Sequence, residues 1–279
     1  MTFFGVSAGE LALLAVAILL AGTLAGFFAG LLGIGGAALI VPVLYEVFRV
    51  LNVPDEVRFH LCIGTSLAFI VPTSIRSFLA HRAKGAVRMD VLRLWVIPIV
   101  IGVIVGALIA YVASVVFFKA LYISFTVFMA SKLLFGRESW RIADDLPKPP
   151  VTIGAGFLIG LVSALMGVGG GAFSAMFLTL FGQSIHVAVA TSSAVGVFIS
   201  VPGTIGYMLA GWQHQALMPP LSIGFVSILG FLLIAPTGVL AAPYGARLAH
   251  KLSKRRLEIA FGLFLLLVAI RFAASLVLA

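Results

Sequence analysis

Two stretches of the chain, GFFAGLLGIGGA at residues 26–37 and GLVSALMGVGGGA at residues 160–172, decide the fold. Each stretch ends a long apolar run in a cluster of glycines and leads directly into a second, shorter apolar segment. No Asp, Glu, Lys or Arg occurs from Leu11 to Tyr45 or from Pro149 to Ala246. Because a helix needs about 20 apolar residues to span a bilayer, these regions predict membrane-spanning helices that are interrupted by glycine.

The composition excludes an ordinary soluble protein. Of the 279 residues, 62% are hydrophobic and only 10% are charged, whereas a soluble domain carries about 25% charged residues. The single cysteine, Cys62, excludes a disulfide scaffold within one chain. Basic residues gather in short loops at 81–93 and 247–256, which is typical of cytoplasmic loops rather than of a nucleic-acid-binding face. We therefore predict an all-α polytopic membrane protein that meets the lipid bilayer and binds no nucleic acid.

The hydropathy pattern predicts ten helical segments. They lie at about 11–32, 36–51, 61–80, 91–113, 115–135, 151–168, 171–182, 187–210, 216–243 and 257–278. The segments 36–51 and 171–182, which follow the two glycine clusters, are short for a full crossing, so they either cross or form broken, re-entrant helices. The polar stretch 136–150 predicts a cytoplasmic linker between a first transmembrane repeat, 1–135, and a second one, 151–279.

The two halves repeat the same sequence pattern. Blocks of residues recur at a constant offset within each block: Gly26, Gly33, Gly35 and Gly36 match Gly160, Gly167, Gly169 and Gly170; His60, Thr65 and Ser66 match His186, Thr191 and Ser192; Gly106 and Ala107 match Gly245 and Ala246. With five segments per half, the second half starts from the opposite side of the membrane, which predicts two inverted repeats. The basic loop at 81–93 and its uncharged counterpart at 211–217 agree with this inversion.

The glycine clusters predict the first part of a substrate site, formed by Gly33, Gly35, Gly36, Gly167, Gly169 and Gly170. A helix break inside a membrane is tolerated where its free backbone groups line a cavity. A half-helix that starts at the break directs its positive end at that cavity, so two such ends form an anion site. The alternative is close helix packing through small residues. A dinucleotide fingerprint is excluded because an apolar helix, and no strand, precedes each cluster.

Hydroxyl and arginine side chains complete the predicted site. Thr65, Ser66, Thr191 and Ser192 supply uncharged donors for an anion, unless their hydroxyls only bond back to the preceding helical turn. Arg76 either binds the anion or extends its head group to the cytoplasmic interface. The chain shows no zinc-ligand spacing and no nucleophile–base pair, so we predict no metal, no cofactor and no catalytic residue.

These residues also carry a family resemblance. The doubled glycine motif, TSLAFIVPTSIRSFLAHR at 65–82 and APYGARLAHKL at 242–252 resemble the TauE/SafE family, also called the sulfite exporter family. The resemblance covers essentially the whole chain. It implies a bacterial inner-membrane protein with two repeated halves that transports small, often sulfur-containing anions such as sulfite or organosulfonates. Pro42 follows the first glycine motif as the resemblance implies, but Met176 stands at the matching position of the second half.

We predict a multi-pass inner-membrane transporter of small anions, with export favoured over uptake. Each charge that crosses is worth about 2.3 kcal/mol per 100 mV, so an anion leaves an inside-negative cell without a coupling ion. The alternatives are an anion channel or passive permease and, less favoured, a membrane-embedded assembly factor or enzyme. At the level of sequence, the identity of the anion, any coupling ion and the oligomeric state stay open.

Overall fold

The computed structural model describes residues 2–3, 6–32, 37–135, 141–248 and 254–277. Within these residues the chain forms ten α-helices: α1 (Ala8–Leu32), α2 (Ala37–Val50), α3 (Asp55–Ala83), α4 (Met89–Val112), α5 (Val115–Phe135), α6 (Pro149–Met166), α7 (Gly171–Leu180), α8 (Ile185–Ala210), α9 (Ile228–Leu248) and α10 (Lys254–Val277). Two short antiparallel hairpins precede α1 and α9. The first pairs β1 (Thr2–Phe3) with β2 (Val6–Ser7), and the second pairs β3 (Ser222–Ile223) with β4 (Val226–Ser227).

Five of the described helices, namely α3, α4, α5, α6 and α8, are long and apolar enough to cross a membrane. Shorter apolar helical stretches lie in α1, α7, α9 and α10. The chain is therefore a helical membrane protein with several candidate spans, as the hydropathy pattern predicts.

The largest departure from the predicted segments is in the ninth one, at 216–243. There, residues Trp212–Leu217 form a 3₁₀-helix, β3 and β4 follow, and the α-helix starts only at Ile228. Pro219 and Pro220 have no backbone N–H to donate to a helix, and Gly224 adopts a φ of +52° in the hairpin turn. The apolar residues before Ile228 therefore belong to a folded connection rather than to a span.

Glycines let two helix pairs approach closely. A Cβ on Gly26 of α1 would lie 2.6 Å from Gly238 Cα in α9, and one on Gly160 of α6 would lie 2.9 Å from Ile99 Cα in α4. Small residues of this kind bring helix backbones together in membranes, where van der Waals packing drives association. In each pair, the next close contact toward the N-terminus lies about one turn earlier in both helices. The two helices of a pair therefore run in the same direction, so α1 is parallel to α9 and α6 is parallel to α4.

Two further helix pairs, α3 with α8 and α5 with α10, run antiparallel. In each of them, residues near the end of one helix contact residues near the start of the other. The contacts that define these directions are Gly64 with Tyr207, Ser74 with Gly196, Leu134 with Gly262, and Tyr122 with Phe272.

Helices α6 and α7 form a helical hairpin, in which the end of α7 lies close to the linker that precedes α6. Helix α7 has 10 residues, which at 1.5 Å per residue extend about 15 Å and cover about half of a bilayer core. Its last carbonyl, Leu180 O, accepts a hydrogen bond from Ile142 N at 2.9 Å, and Ile142 belongs to the linker that precedes α6. The segment 171–182 thus contains a half-length helix that returns toward the end from which α6 starts.

Candidate functional site

The break between α6 and α7 depends on glycine at two positions. Gly167 and Gly170 adopt φ angles of +66° and +68°, in the left-handed region that residues with a Cβ rarely adopt. Gly167 follows α6 and donates its N–H to Ser163 O, whereas Gly170 immediately precedes α7 and Gly169 lies between them. A Cβ on Gly170 would also collide with Ile199 Cδ1 of α8. The second glycine cluster therefore breaks the helix, as the sequence predicts.

The break faces a small cavity that both halves of the chain line. Ala38, at the start of α2, lies on its wall together with Gly170 and Ala172, at the start of α7, and with Phe125 of α5 and Phe261 of α10. The cavity has a volume of about 10 Å³, so it holds at most a single water molecule. The starts of two short helices from different halves thus meet at one point.

The start of α7 carries backbone donors that no acceptor within the helix satisfies. The first N–H groups of an α-helix have no acceptor inside the helix. In α7 the Ser174 N–H donates to Gly170 O at 2.9 Å, so the N–H groups of Gly171, Ala172 and Phe173 precede the first intrahelical bond. They lie at the helix end that carries a positive partial charge.

Ser163 is a candidate site residue that the sequence reasoning missed. Its side chain is fully buried in α6, and among the described residues its Oγ has no hydrogen-bond partner. This Oγ lies 3.2 Å from the position that a Cβ on Gly170 would take, so the hydroxyl is beside the glycine break. The available signal was the position of Ser163 one helical turn before Gly167, inside the glycine motif.

The predicted threonines each bind the start of a helix from the opposite half. Thr65 Oγ1 of α3 accepts a hydrogen bond at 2.9 Å from Ser227 N, directly before α9. Thr191 Oγ1 of α8 accepts one at 3.0 Å from Arg88 N, directly before α4. Arg88 and Ser227 are separated by the same offset as the repeated Gly-Ala pairs of α4 and α9. Both threonines are fully buried, so the two hydroxyls satisfy equivalent backbone donors.

The predicted serines connect the break to the long helices α3 and α8. Ser66 Oγ of α3 donates to Gly167 O at 2.8 Å. Ser192 Oγ of α8 lies 2.8 Å from Ser174 Oγ, and Ser174 Oγ lies 2.7 Å from Gly170 O. The structure therefore brings both predicted serines together with the second glycine cluster around the start of α7.

Two other parts of the predicted site remain, the first glycine cluster and Arg76. Gly33, Gly35 and Gly36 lie outside the described residues, so their role stays a prediction. Arg76 is exposed near the C-terminal end of α3, and it makes no hydrogen bond or ion pair within the part of the chain that the structure describes.

The cavity is uncharged. Among the described residues, no charged side chain lines it, and no group of three His, Cys, Asp or Glu side chains is arranged to hold a metal ion. Arg88, whose N–H binds Thr191, directs its guanidinium to Gln183 Oε1 at 2.7 Å and to Asp90 Oδ1 at 2.8 Å. The hydrogen bonds to Asp90 raise the pKa of Arg88. The side chains that line the cavity are apolar, so the donors nearest to it are the backbone groups at the start of α7 and, beside Gly170, the hydroxyl of Ser163.

Comparison with known proteins indicates one family. Residues 18–272 match the family described as Sulfite exporter TauE/SafE. A Haemophilus influenzae protein named "Probable membrane transporter protein" is 32% identical over 252 residues, which cover 90% of this chain and 95% of the relative. A Methanocaldococcus jannaschii protein, also named a probable membrane transporter protein, is 28% identical over 266 residues, which cover 92% of this chain and 97% of the relative. No solved structure matches the chain significantly.

Proposed function

The chain belongs to the sulfite exporter TauE/SafE family, whose relatives are named membrane transporters, and from that premise we propose that it carries small oxyanions across the inner membrane of the cell. The proposed substrates are sulfite, organosulfonates and related organic anions. The observation that carries the proposal is that the starts of α2 and α7 line one cavity between the two halves.

Two helix starts make this point electropositive without a formal charge. Each start carries about half a positive charge, so the pair offsets about one negative charge. The N–H groups at the start of α7 and the hydroxyl of Ser163 supply donors for the oxygens of an anion. Neutral donors bind an anion less strongly than a buried Lys or Arg does, which suits a substrate that has to be released.

We propose that the two halves are inverted repeats. The packing supports their equivalence. When each helix is replaced by its counterpart in the other half, the pair α1–α9 becomes the pair α6–α4, and the hydrogen bond that Thr65 accepts becomes the one that Thr191 accepts. A two-fold axis in the membrane plane makes equivalent helices antiparallel, whereas an axis along the membrane normal makes them parallel. The pairs α3–α8 and α5–α10 pack antiparallel, which supports the in-plane axis.

The size of the cavity supports a carrier rather than an open channel. A volume of about 10 Å³ is too small for sulfite or a sulfonate, so the helices have to separate before an anion enters. Opening the site to one side at a time is alternating access, which inverted repeats provide in other transporters. The membrane voltage favours outward movement of an anion by about 2.3 kcal/mol per charge per 100 mV, so we propose export without a coupling ion.

Anion efflux from proteoliposomes tests this site. Gly169→Ala places a Cβ 2.9 Å from Ile70 Cγ2, a side-chain atom that can move, so the variant keeps the fold but loses space at the break. Gly154→Ala is the matched control, because no atom lies within 4 Å of the added Cβ. We expect Gly169→Ala to weaken saturable sulfite or sulfonate efflux by about tenfold, because the added Cβ shifts the break and misaligns a donor to the anion, which costs about as much as losing one hydrogen bond to a charged group. We expect Gly154→Ala to leave the efflux unchanged.

Three results would contradict parts of the proposal. Equal efflux in the two variants at equal membrane abundance moves the site away from the start of α7. Efflux that does not saturate with anion concentration replaces the carrier with a channel. No flux of any tested anion through the unaltered protein rejects anion transport.

A further inference from the structure

A second and larger cavity lies between α1, α2 and α10. Its volume is about 330 Å³, and it opens to the surface. Three charged side chains line it, namely Glu46 and Arg49 of α2 and Arg271 of α10. These residues lie toward the C-terminal ends of their helices, whereas the start of α2 lines the central cavity. The predicted topology places this end of the bundle outside the cell.

Two guanidinium groups converge on one carboxylate in the larger cavity. Glu46 Oε2 lies 2.7 Å from Arg49 Nε, and Glu46 Oε1 lies 2.9 Å from Arg271 Nη2. The side chains of Arg49, Glu46 and Arg271 are 53%, 37% and 43% exposed, so water screens both ion pairs and each one is weak. Glu46 therefore occupies a place where an anionic group fits between the arginines, and it is the one carboxylate among the described residues that pairs with their two positive charges.

The rest of the cavity wall is mainly apolar. Pro42, Val43 and Val47 of α2 face Leu267 and Val268 of α10 across it. A volume of about 330 Å³ is at the lower end of the range for small-molecule sites, which are mostly apolar with a few polar groups that fix orientation. A wall of this kind favours an anion with a short organic body over a bare inorganic ion, since the body gains contact with the apolar side.

One aromatic pair connects the walls of the two cavities. Phe264 lines the larger cavity and Phe261 lines the central one. Their ring centroids are 6.4 Å apart and the rings are nearly parallel, at 6°. The walls of the larger and the central cavity therefore contact each other through these two rings of α10.

We propose that the larger cavity binds an organic oxyanion, a short-chain sulfonate or carboxylate, whose head group displaces Glu46 from Arg49 and Arg271. This inference rests on the proposed anion transport and adds a second site at the mouth of the pathway. Guanidinium groups bind such head groups through a planar fork of N–H donors, and Glu46 competes for the same donors. Removing the charge of Glu46 strengthens binding, whereas removing an arginine weakens it.

Isothermal titration of the full-length protein in nanodiscs, with ethanesulfonate and butanesulfonate as probes, tests this site. We expect Arg49→Gln to weaken binding about tenfold, as the loss of a hydrogen bond between charged groups does, and Glu46→Gln to strengthen it severalfold. Arg93→Gln, which removes an exposed arginine from α4, is the matched control and leaves the affinity unchanged. Butanesulfonate binds more tightly than ethanesulfonate, because each buried CH₂ group adds up to about fourfold.

The outcomes separate this site from the proposed transport. If Arg49→Gln and Glu46→Gln lower the melting temperature but leave the affinity unchanged, the ion pairs only join α2 to α10 and the site is refuted. If Glu46→Gln does not fold, Arg271→Lys takes its place. Lysine keeps the charge but lacks the fork, so unchanged affinity again refutes the site. These results leave anion transport intact when the unaltered protein still moves sulfite or a sulfonate. Absence of sulfonate binding alone refutes only the second site, whereas absence of flux of any tested anion rejects the transport proposal on which this inference rests.

Discussion

Replacing Thr65 with valine removes one hydrogen-bond acceptor and almost nothing else, because the two side chains have nearly the same shape. Ser227 N, which donates to Thr65 Oγ1 at 2.9 Å, then has no acceptor. Thr65 and Ser227 are both buried, so water does not replace the lost hydroxyl. A buried donor without a partner costs about 1–3 kcal/mol, and we expect Thr65→Val to lower the free energy of unfolding by that amount.

Thr126→Val is the matched control for this substitution. Thr126 is also fully buried in a long helix, but its hydroxyl donates to Tyr122 O at 2.8 Å within the same helix. That carbonyl keeps its helical N–H partner, so the free energy of unfolding should change by about 0.5 kcal/mol or less. Thr191→Val should lower the free energy of unfolding by an intermediate amount, because the hydrogen bond that Thr191 accepts from Arg88 N is only partly buried.

Thermal unfolding in one detergent, combined with calorimetric titration of sulfite, measures both the structural and the ligand-binding contribution of each hydroxyl. A loss of 1 kcal/mol lowers the melting temperature by about 2–4 °C in a large domain, so Thr65→Val should melt several degrees below the control and bind the anion normally. If Thr65→Val melts at the same temperature as Thr126→Val, the capping argument is refuted. If it loses anion affinity without losing stability, the hydroxyl belongs to the substrate site instead.

Further predictions concern topology, Arg76 and helix packing. Cysteine labelling should place 81–90 inside and 211–216 outside, with little background because Cys62 is fully buried; labelling of both loops from one side would disprove the inverted repeat. Arg76→Lys should keep transport, since either head group near the end of α3 reaches the interface, and impaired transport at normal abundance would return Arg76 to the site. Gly160→Ala should lower the free energy of unfolding by about 1–3 kcal/mol, because its added Cβ would meet the α4 backbone. Gly154→Ala should not lower it, and equal melting temperatures of these two variants would rule out the close packing of α4 and α6.

Much of the helical architecture could be predicted because its signals are local. The structure places α6 and α7 within two residues of the predicted segments 151–168 and 171–182, and it places the break at the predicted glycines. The error at 216–243 has a local cause as well. Apolar residues of a folded connection have the same hydropathy as those of a span, and only Pro219 and Pro220 marked the difference.

The partners of the polar side chains could not be predicted in the same way. Thr65 and Ser66 are neighbours in a helix, yet Thr65 accepts from the start of α9 and Ser66 donates to Gly167 O. Ser163, which no pattern singled out, has the buried hydroxyl without a partner beside the break. All three side chains carry a hydroxyl, so the presence of a hydroxyl gave no information about which one was free to bind a ligand.

The sequence by itself determined that this chain crosses a membrane and that glycine breaks a helix between residues 167 and 170, and it predicts that the two halves are related, because each of these depends on neighbouring residues and their hydropathy. The tertiary structure decided which side chains meet at the break. At the break Ser66 meets Gly167, 101 positions away, and at the start of α9 Thr65 meets Ser227, 162 positions away. Both contacts depend on how helices of different halves pack. Inside a membrane that packing depends on the shapes of small-residue surfaces and on interhelical hydrogen bonds, which a one-dimensional pattern of apolar residues does not record.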